Sequence, residues 1–226
     1  MNTVLDTVVI GGGAMGSAAA WALSRRGRQV TLVEQFGPGH KIGASHGATR
    51  NLNPGYHQPD YVAMLAEGLA LWDELEQESG EQLLARTGVV THGPGFYAWK
   101  IASALTAAGI SAGLLHPAEA GERWRGIRFD QQVLHMPDGG QLNPEAALPA
   151  FQRLASARGA EIRHHTKVAG FEVFDDGVRL ALESAAGTEV VTAAQAVVTA
   201  GGWTGMGAGL TAGGKMVKGG IWMTIG

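Results

Sequence analysis

The sequence predicts an α/β fold. A Rossmann-like β-α-β unit with a parallel sheet and a β-meander is joined by a partial, smaller α+β unit. Three observations lead there. TVVIGGGAMGSAAAWALSRRGRQVTLVEQ, from Thr7 to Gln35, passes from a buried-strand pattern to a helical one and back. Between residues 160 and 199, short extended runs are separated by turn signals at Asp176-Gly177 and Ala186-Gly187. Between these two regions, residues 87–142 mix short strand and helix patterns.

The elements follow in order. Val8, Val9 and Ile10 form a continuous apolar run, as in a strand buried on both faces. Ala14 to Arg26 is helical, with Met15, Ala19, Ala22 and Leu23 on one face and Gly27 at the C-terminal cap. Val30 to Val33 is a second buried strand, ended by Glu34. Pro59 to Ser79 carries a helical stripe of Tyr61, Leu65, Leu69, Trp72 and Leu75, and Gly80 ends it. Thr87 to His92 is a strand that enters the smaller domain. A helix over Tyr97 to Ala108, a strand over Ile110 to Leu115 and a short helix from Pro117 come next. QQVLHMPDGGQLNP reads as a hairpin about Asp138-Gly139. Asn143 caps a helix that begins at Pro144 and runs to Arg158. Ala160 to His165 is a strand, the meander follows, and Gln195 to Thr199 is a final buried strand ended by Ala200-Gly201-Gly202. The domains expected are 1–86 with 143–205, then 87–142, and a Gly-rich tail over 206–226.

The bulk composition narrows the function. The chain has 226 residues, 16% of them charged, with a net charge of −3 and no long Lys/Arg run, so no nucleic-acid partner is expected. The absence of cysteine rules out disulfides and thiol chemistry within these residues. The start lacks the basic region of a signal peptide, and no run reaches membrane-spanning length. A cytoplasmic protein with a small-molecule partner and no membrane partner is expected; its oligomeric state is not read from the sequence. His164 and His165 point to opposite faces of a strand, and the other histidines lack ligand spacing, so no metal is expected.

The first turn carries the strongest chemical signal. Gly11, Gly13 and Gly16 spell G-x-G-x-x-G between a strand and a helix. Gly11 permits the tight turn, Gly13 lets the backbone approach a pyrophosphate, and Gly16 lets the helix pack on the sheet. Ala14 and Met15 open the helix, whose N-terminal N–H groups and dipole favour phosphate. Glu34, followed by Gln35, stands where an acceptor for an adenosine ribose belongs, and its charge disfavours a 2′-phosphate.

Gly43-Ala44-Ser45-His46-Gly47 spells G-x-S-x-G, the form of a hydrolase nucleophile elbow. An elbow needs a strand leading into the serine. FGPGHKIGA is a loop instead, which argues against Ser45 as a nucleophile.

The segment from Asp6 to Gln35, the loop GASHGATR and the later AVVTAGGWTG together resemble the FAD-dependent amino-acid and amine oxidase family, in its sarcosine oxidase and N-methyltryptophan oxidase branch. The resemblance covers nearly the whole chain and implies an FAD-binding Rossmann-like domain with part of a substrate domain. It also implies that members continue well beyond this length. The cofactor implied is FAD, and the substrates are an amine or amino acid and O2. Cysteine attachment of the flavin, known in many members, has no partner in these residues. The resemblance places Ser45, His46, Thr49 and Arg50 along the cofactor, with catalytic roles for Arg50 and His46. It places the backbone near Val168 and Ala200, Gly201, Gly202 and Trp203 against FAD. Asn53 stands where sarcosine oxidases carry a second arginine for the substrate carboxylate. An amide cannot form a bidentate ion pair, which points away from sarcosine and toward a larger or neutral amine. Two other readings remain: a dinucleotide-binding fragment without turnover, and an NAD-dependent dehydrogenase.

Overall fold

Strand β1, Val4–Ile10, follows directly from its composition: Val8 and Val9 are fully buried, and the strand is paired on both sides. The computed structural model describes residues 4–94 and 97–204. Gly205 and the expected 206–226 tail lie outside the described residues. The chain divides into two compact units. One takes the chain up to Ala48 and again from Pro144, and the other is Thr49–Asn143.

The first unit is built on a six-stranded sheet. With β2 (Val30–Val33), β9 (Glu161–Arg163), β10 (Lys167–Phe174), β11 (Gly177–Ser184) and β12 (Gly187–Val198), the order is β10-β11-β12-β1-β2-β9. The pairs β12-β1, β1-β2 and β2-β9 are parallel, and β10-β11-β12 is an antiparallel meander. The sequence pattern divided β12 into a meander strand and a separate strand from Gln195. The structure has one continuous strand, because nothing after Gly187 breaks it. β12 pairs with β11 up to Ala193 and with β1 from Thr192 to Val198. Val8, Ile10 and Val33 pack with Val178, Leu180, Leu182, Val191 and Ala193 into one core.

Helix α1, Ala14–Arg25, packs beside α5, Pro144–Ala157, with Trp21 and Phe151 rings 5.5 Å apart. Its buried face is Gly16, Ser17, Ala20, Trp21 and Ser24, not the expected Met15, Ala19, Ala22 and Leu23. The small residues allow close approach, and the serine hydroxyls are satisfied by carbonyls within the same segment. Ser17 Oγ donates to Gly12 O and Ser24 Oγ to Trp21 O, both at 2.9 Å.

The second unit holds α2 (Pro59–Ser79), α3 (Ala98–Ala107) and α4 (Pro117–Arg123) with two three-stranded sheets. With β3 (Arg50–Leu52), β4 (Leu84–Ala85), β5 (Val89–Thr91), β6 (Gly113–Leu115), β7 (Val133–Met136) and β8 (Gly140–Leu142), these are β3-β8-β4 and β5-β7-β6. The expected hairpin is therefore not one: the strands on either side of Asp138-Gly139 enter different sheets. The turn does close, with Gly139 N–H donating to Met136 O, but each strand finds its partners elsewhere. The compact unit begins at Thr49, whereas the sequence reading placed the change of domain at 86/87. β3 and β4 both pair with β8, and α2 packs on α3, which gathers residues 49–86 with the second unit. Glu76, on α2, holds the start of β4 by accepting from the Leu83 and Leu84 N–H groups at 2.6 and 2.8 Å. Tyr61 leaves the expected stripe and stacks on Tyr56, ring centroids 5.4 Å apart, while Val62 takes the buried position.

Two glycines are expected to respond in opposite directions. A Cβ at Gly140 would lie 2.0 Å from Ala85 O. Gly140→Ala should lower unfolding free energy by roughly 2–3 kcal/mol. Gly68, inside α2, has nothing within 4 Å of the position. Gly68→Ala should add about 0.5–1 kcal/mol through helix propensity. Urea unfolding monitored by circular dichroism checks both.

Candidate functional site

The turn after β1 requires glycine for two independent reasons. Gly11 has φ +102°, and a Cβ there would lie 2.6 Å from Thr199 O. One turn later a Cβ at Gly16 would sit 1.8 Å from Gly11 O, so α1 rests directly on the turn. Thr199 closes the turn from the end of β12, its Oγ donating to the Ile10 and Gly11 carbonyls at 2.9 and 3.0 Å.

Gly13 is the N-terminal cap of α1 and brings no side-chain acceptor. Ser45 supplies one from the following loop: its Oγ accepts the Ala14 N–H at 2.9 Å. The same Oγ lies 3.1 Å from where a Gly13 Cβ would stand. Ser45 sits in a turn, with no strand leading into it and no helix leaving it. That is the geometry of a ligand to a helix terminus rather than of an exposed nucleophile.

Glu34 lies beneath the turn and is 6% exposed. Its Oε2 accepts the Gly12 N–H at 2.7 Å and its Oε1 the Phe36 N–H at 2.9 Å. A carboxylate offers about four acceptor positions, so capacity remains for a diol. His40 Nε2 stands 3.6 Å from Oε1. The Phe36 ring lies 4.8 Å from the His40 ring and 5.7 Å from Trp203, which ends the short 3-10 turn Gly201–Trp203. His164 titrates below its ordinary value of 6.5. Burial is the main cause, and the positive charges that His165 and His40 can carry act in the same sense. A hydrogen bond with the Phe36 backbone and the Glu34 charge oppose it. Its buried Nδ1 has no hydrogen-bond partner.

The structure gathers Gly11, Gly13, Ala14, Glu34, Ser45 and Ala200 around one turn. Met15 and Gly16 complete the first turn of α1, and Gln35 lies between Glu34 and Phe36. Gly201, Gly202 and Trp203 reach the same end of the sheet through the Trp203–Phe36 contact. Val168 pairs with Leu182, two residues beyond Thr166, whose N–H donates to Glu34 O at 2.9 Å. His46 Nδ1 meets the Gly43 carbonyl, so that nitrogen carries the proton. Thr49, Arg50 and Asn53 fall in the second unit. Arg50 opens β3 opposite Leu142, and Asn53 Oδ1 accepts the Gly55 N–H at 3.0 Å. The sequence reading missed Ser17, His40 and Gln152, all in contact with the turn or with Glu34. A serine on a helix and a glutamine 140 residues from the turn carry no sequence signal for such a role. Among the described residues no group of three His, Asp or Glu side chains is arranged to hold a metal ion.

A glycine turn tied to a buried carboxylate, beside a helix terminus closed only by a serine hydroxyl, defines a dinucleotide-binding protein of the Rossmann type. The chain belongs to the FAD dependent oxidoreductase family (DAO), whose model matches residues 6–224. It is 34% identical over 209 residues to monomeric sarcosine oxidase of Bacillus sp. (strain B-0618), covering 90% of this chain and 53% of that protein. It is 29% identical over 203 residues to N-methyl-L-tryptophan oxidase of Salmonella enteritidis PT4 (strain P125109), covering 88% and 54%. Among solved structures, NikD, an unusual amino acid oxidase essential for nikkomycin biosynthesis, aligns with TM-score 0.71 and 27% identity, over 89% of this chain and 52% of that one. L-proline dehydrogenase from P. horikoshii shares the fold, with TM-score 0.80 at 21% identity. The chain spans about half the length of the curated relatives it matches. FAD is the cofactor of this family, and the donor set fits its adenosine diphosphate portion. The turn has no Cβ at Gly11 or Gly13, the α1 terminus holds phosphate-compatible donors, and Glu34 retains acceptor capacity.

The lowered His164 pKa has a defined pH consequence. The unfolded chain takes up this proton first as the pH falls through about 6.5, while the folded chain resists it. The stability it contributes is therefore complete above that pH and is lost on acidification. Thermal midpoints recorded from pH 7.5 to 5 should fall less steeply for His164→Gln than for the unmodified protein.

Proposed function

We propose that the protein is a flavoprotein oxidase acting on the C–N bond of an amino acid or N-methyl amine. The carrying observation is the Gly12–Glu34 bond beside the Ser45-capped helix start, in a chain of the FAD dependent oxidoreductase family. Gly11, Gly13, Ala14, Met15 and Gly16 hold the pyrophosphate, Glu34 and Gln35 the ribose, and Ser45, Val168, Ala200, Gly201, Gly202 and Trp203 line the cofactor's path. When bound, FAD would supply hydride-acceptor chemistry for the carbon beside the substrate nitrogen, with O2 as the final electron acceptor and H2O2 as the product. The imine product is then hydrolysed by water.

The chain's own residues bind, orient and supply charge. Arg50, with Thr49, places a permanent cation where negative charge develops during reduction. His46, whose Nδ1 donates to the Gly43 carbonyl, stands in the same loop as a second polar group for the reacting centre. Asn53 offers an amide to the substrate, in keeping with an amine that lacks a small free carboxylate or carries a larger side chain. Residues 87–142 form part of the substrate domain. A dinucleotide-binding fragment without turnover is the second reading. It is favoured by the coverage of about half of each curated relative.

A flavin spectrum of the purified protein and a peroxide assay over N-methyl and primary amino acids separate the two. The oxidase reading expects bound flavin, bleaching by one of these amines without oxygen, and peroxide when oxygen is admitted. Arg50→Met should slow that bleaching by about 100-fold while FAD affinity changes little. Bound flavin that no amine bleaches supports the fragment, and protein that binds no FAD overturns both.

A further inference from the structure

The pyrophosphate-binding turn is held from a helix far away in sequence. Gln152, on α5, donates through Nε2 to Gly12 O at 3.2 Å and to Ser17 Oγ at 3.0 Å. Ser17, fully buried on α1, donates in turn to Gly12 O at 2.9 Å. Two donors, themselves hydrogen-bonded to each other, thus close on one carbonyl. The other side of Gly12 is fixed too, since its N–H is bound by Glu34.

We propose that Gln152 is a positioning residue for the FAD pyrophosphate. The proposal rests on the FAD-binding reading given above. The Gly12 carbonyl and the Gly13 N–H belong to the same peptide unit. A trans peptide is planar, so its C=O and N–H point in opposite directions. Drawing the Gly12 carbonyl toward Ser17 and Gln152 turns the Gly13 N–H away from the helices, to the side on which a phosphate approaches. Glycine on both sides of this peptide gives the backbone little resistance to rotation. The orientation must therefore be set by the groups that hold the carbonyl. Ser17 alone provides one donor from the same helix that the turn begins. Gln152 adds a donor from α5, so that turn, α1 and α5 share one hydrogen-bonded centre. The Trp21–Phe151 contact fixes the two helices at the distance this requires.

A role in packing alone and a role in orienting the donor differ in what they do to ligands. ADP carries the pyrophosphate and the ribose, whereas adenosine carries only the ribose that Glu34 receives. Binding of both, and of FAD, is measured by calorimetry and by ligand-observed NMR on the unmodified protein, Gln152→Leu and Gln152→Glu. Gln152→Leu removes the donor while keeping a helix-favouring side chain, and FAD and ADP should bind about 5- to 10-fold more weakly. Gln152→Glu sets an acceptor against the carbonyl and should weaken them further. Adenosine affinity should stay within about 2-fold for both variants, because loss of the pyrophosphate contact leaves the ribose contact in place. Equal weakening of ADP and adenosine, or no change in either, overturns the proposal. Failure of the unmodified protein to bind FAD overturns the cofactor reading itself and the proposal with it.

Discussion

The buried hydrogen bond from the Gly12 N–H to Glu34 Oε2 is the point on which the nucleotide-binding end of this protein depends. It joins the turn after β1 to the end of β2. A carboxylate at 6% exposure is tolerated there only because backbone donors satisfy it. Once those two strand ends are tied, the remaining contacts follow. Thr199 can reach the Ile10 and Gly11 carbonyls, Phe36 can donate to the other carboxylate oxygen, and Thr166 can donate to the Glu34 carbonyl. The carboxylate proposed to receive the ribose is thus also a structural tie, and the two roles would use different lone pairs of one group.

Much of this end of the molecule was legible in the sequence, because the requirements are local. Gly11 and Gly16 are fixed by close backbone approach, and Val8, Val9, Leu32 and Val33 by burial. Each leaves a mark within a few residues of where it acts. The position of Glu34 follows from the length of one helix and two short turns. The bounds of α2 were equally legible, since Pro59 starts it and Gly80 stops it.

The features that were not legible depend on partners distant in sequence. Asp138-Gly139 makes a turn, but nothing local states that β7 and β8 will each find other strands. The buried face of α1 is a local exception: its two serines, polar by composition, are buried because carbonyls three and five residues away accept their hydroxyls. The division of the chain at Thr49 arises from β3 meeting β8 across about ninety residues and β4 meeting it across just under sixty. The loop sequence marks Ser45 as a polar group on the cofactor's path, yet its contact with the Ala14 N–H is visible only in three dimensions.

The pairing of β1 with β12 has a consequence for how the chain is made. Val8 lies opposite Ala196, and Ile10 opposite Val198. Synthesis runs from the N-terminus, so β1 leaves the ribosome with one edge open and waits for nearly all of the described chain before that edge is covered. Parallel pairing over such a separation is slow, because the closure entropy is lost before any contact is gained. Residues 49–143, by contrast, contain all the strand partners of their own sheets and are complete before β12 emerges. Translation halted before Val198 would release a β-α-β unit with an exposed apolar strand edge, a ready target for chaperones and for aggregation.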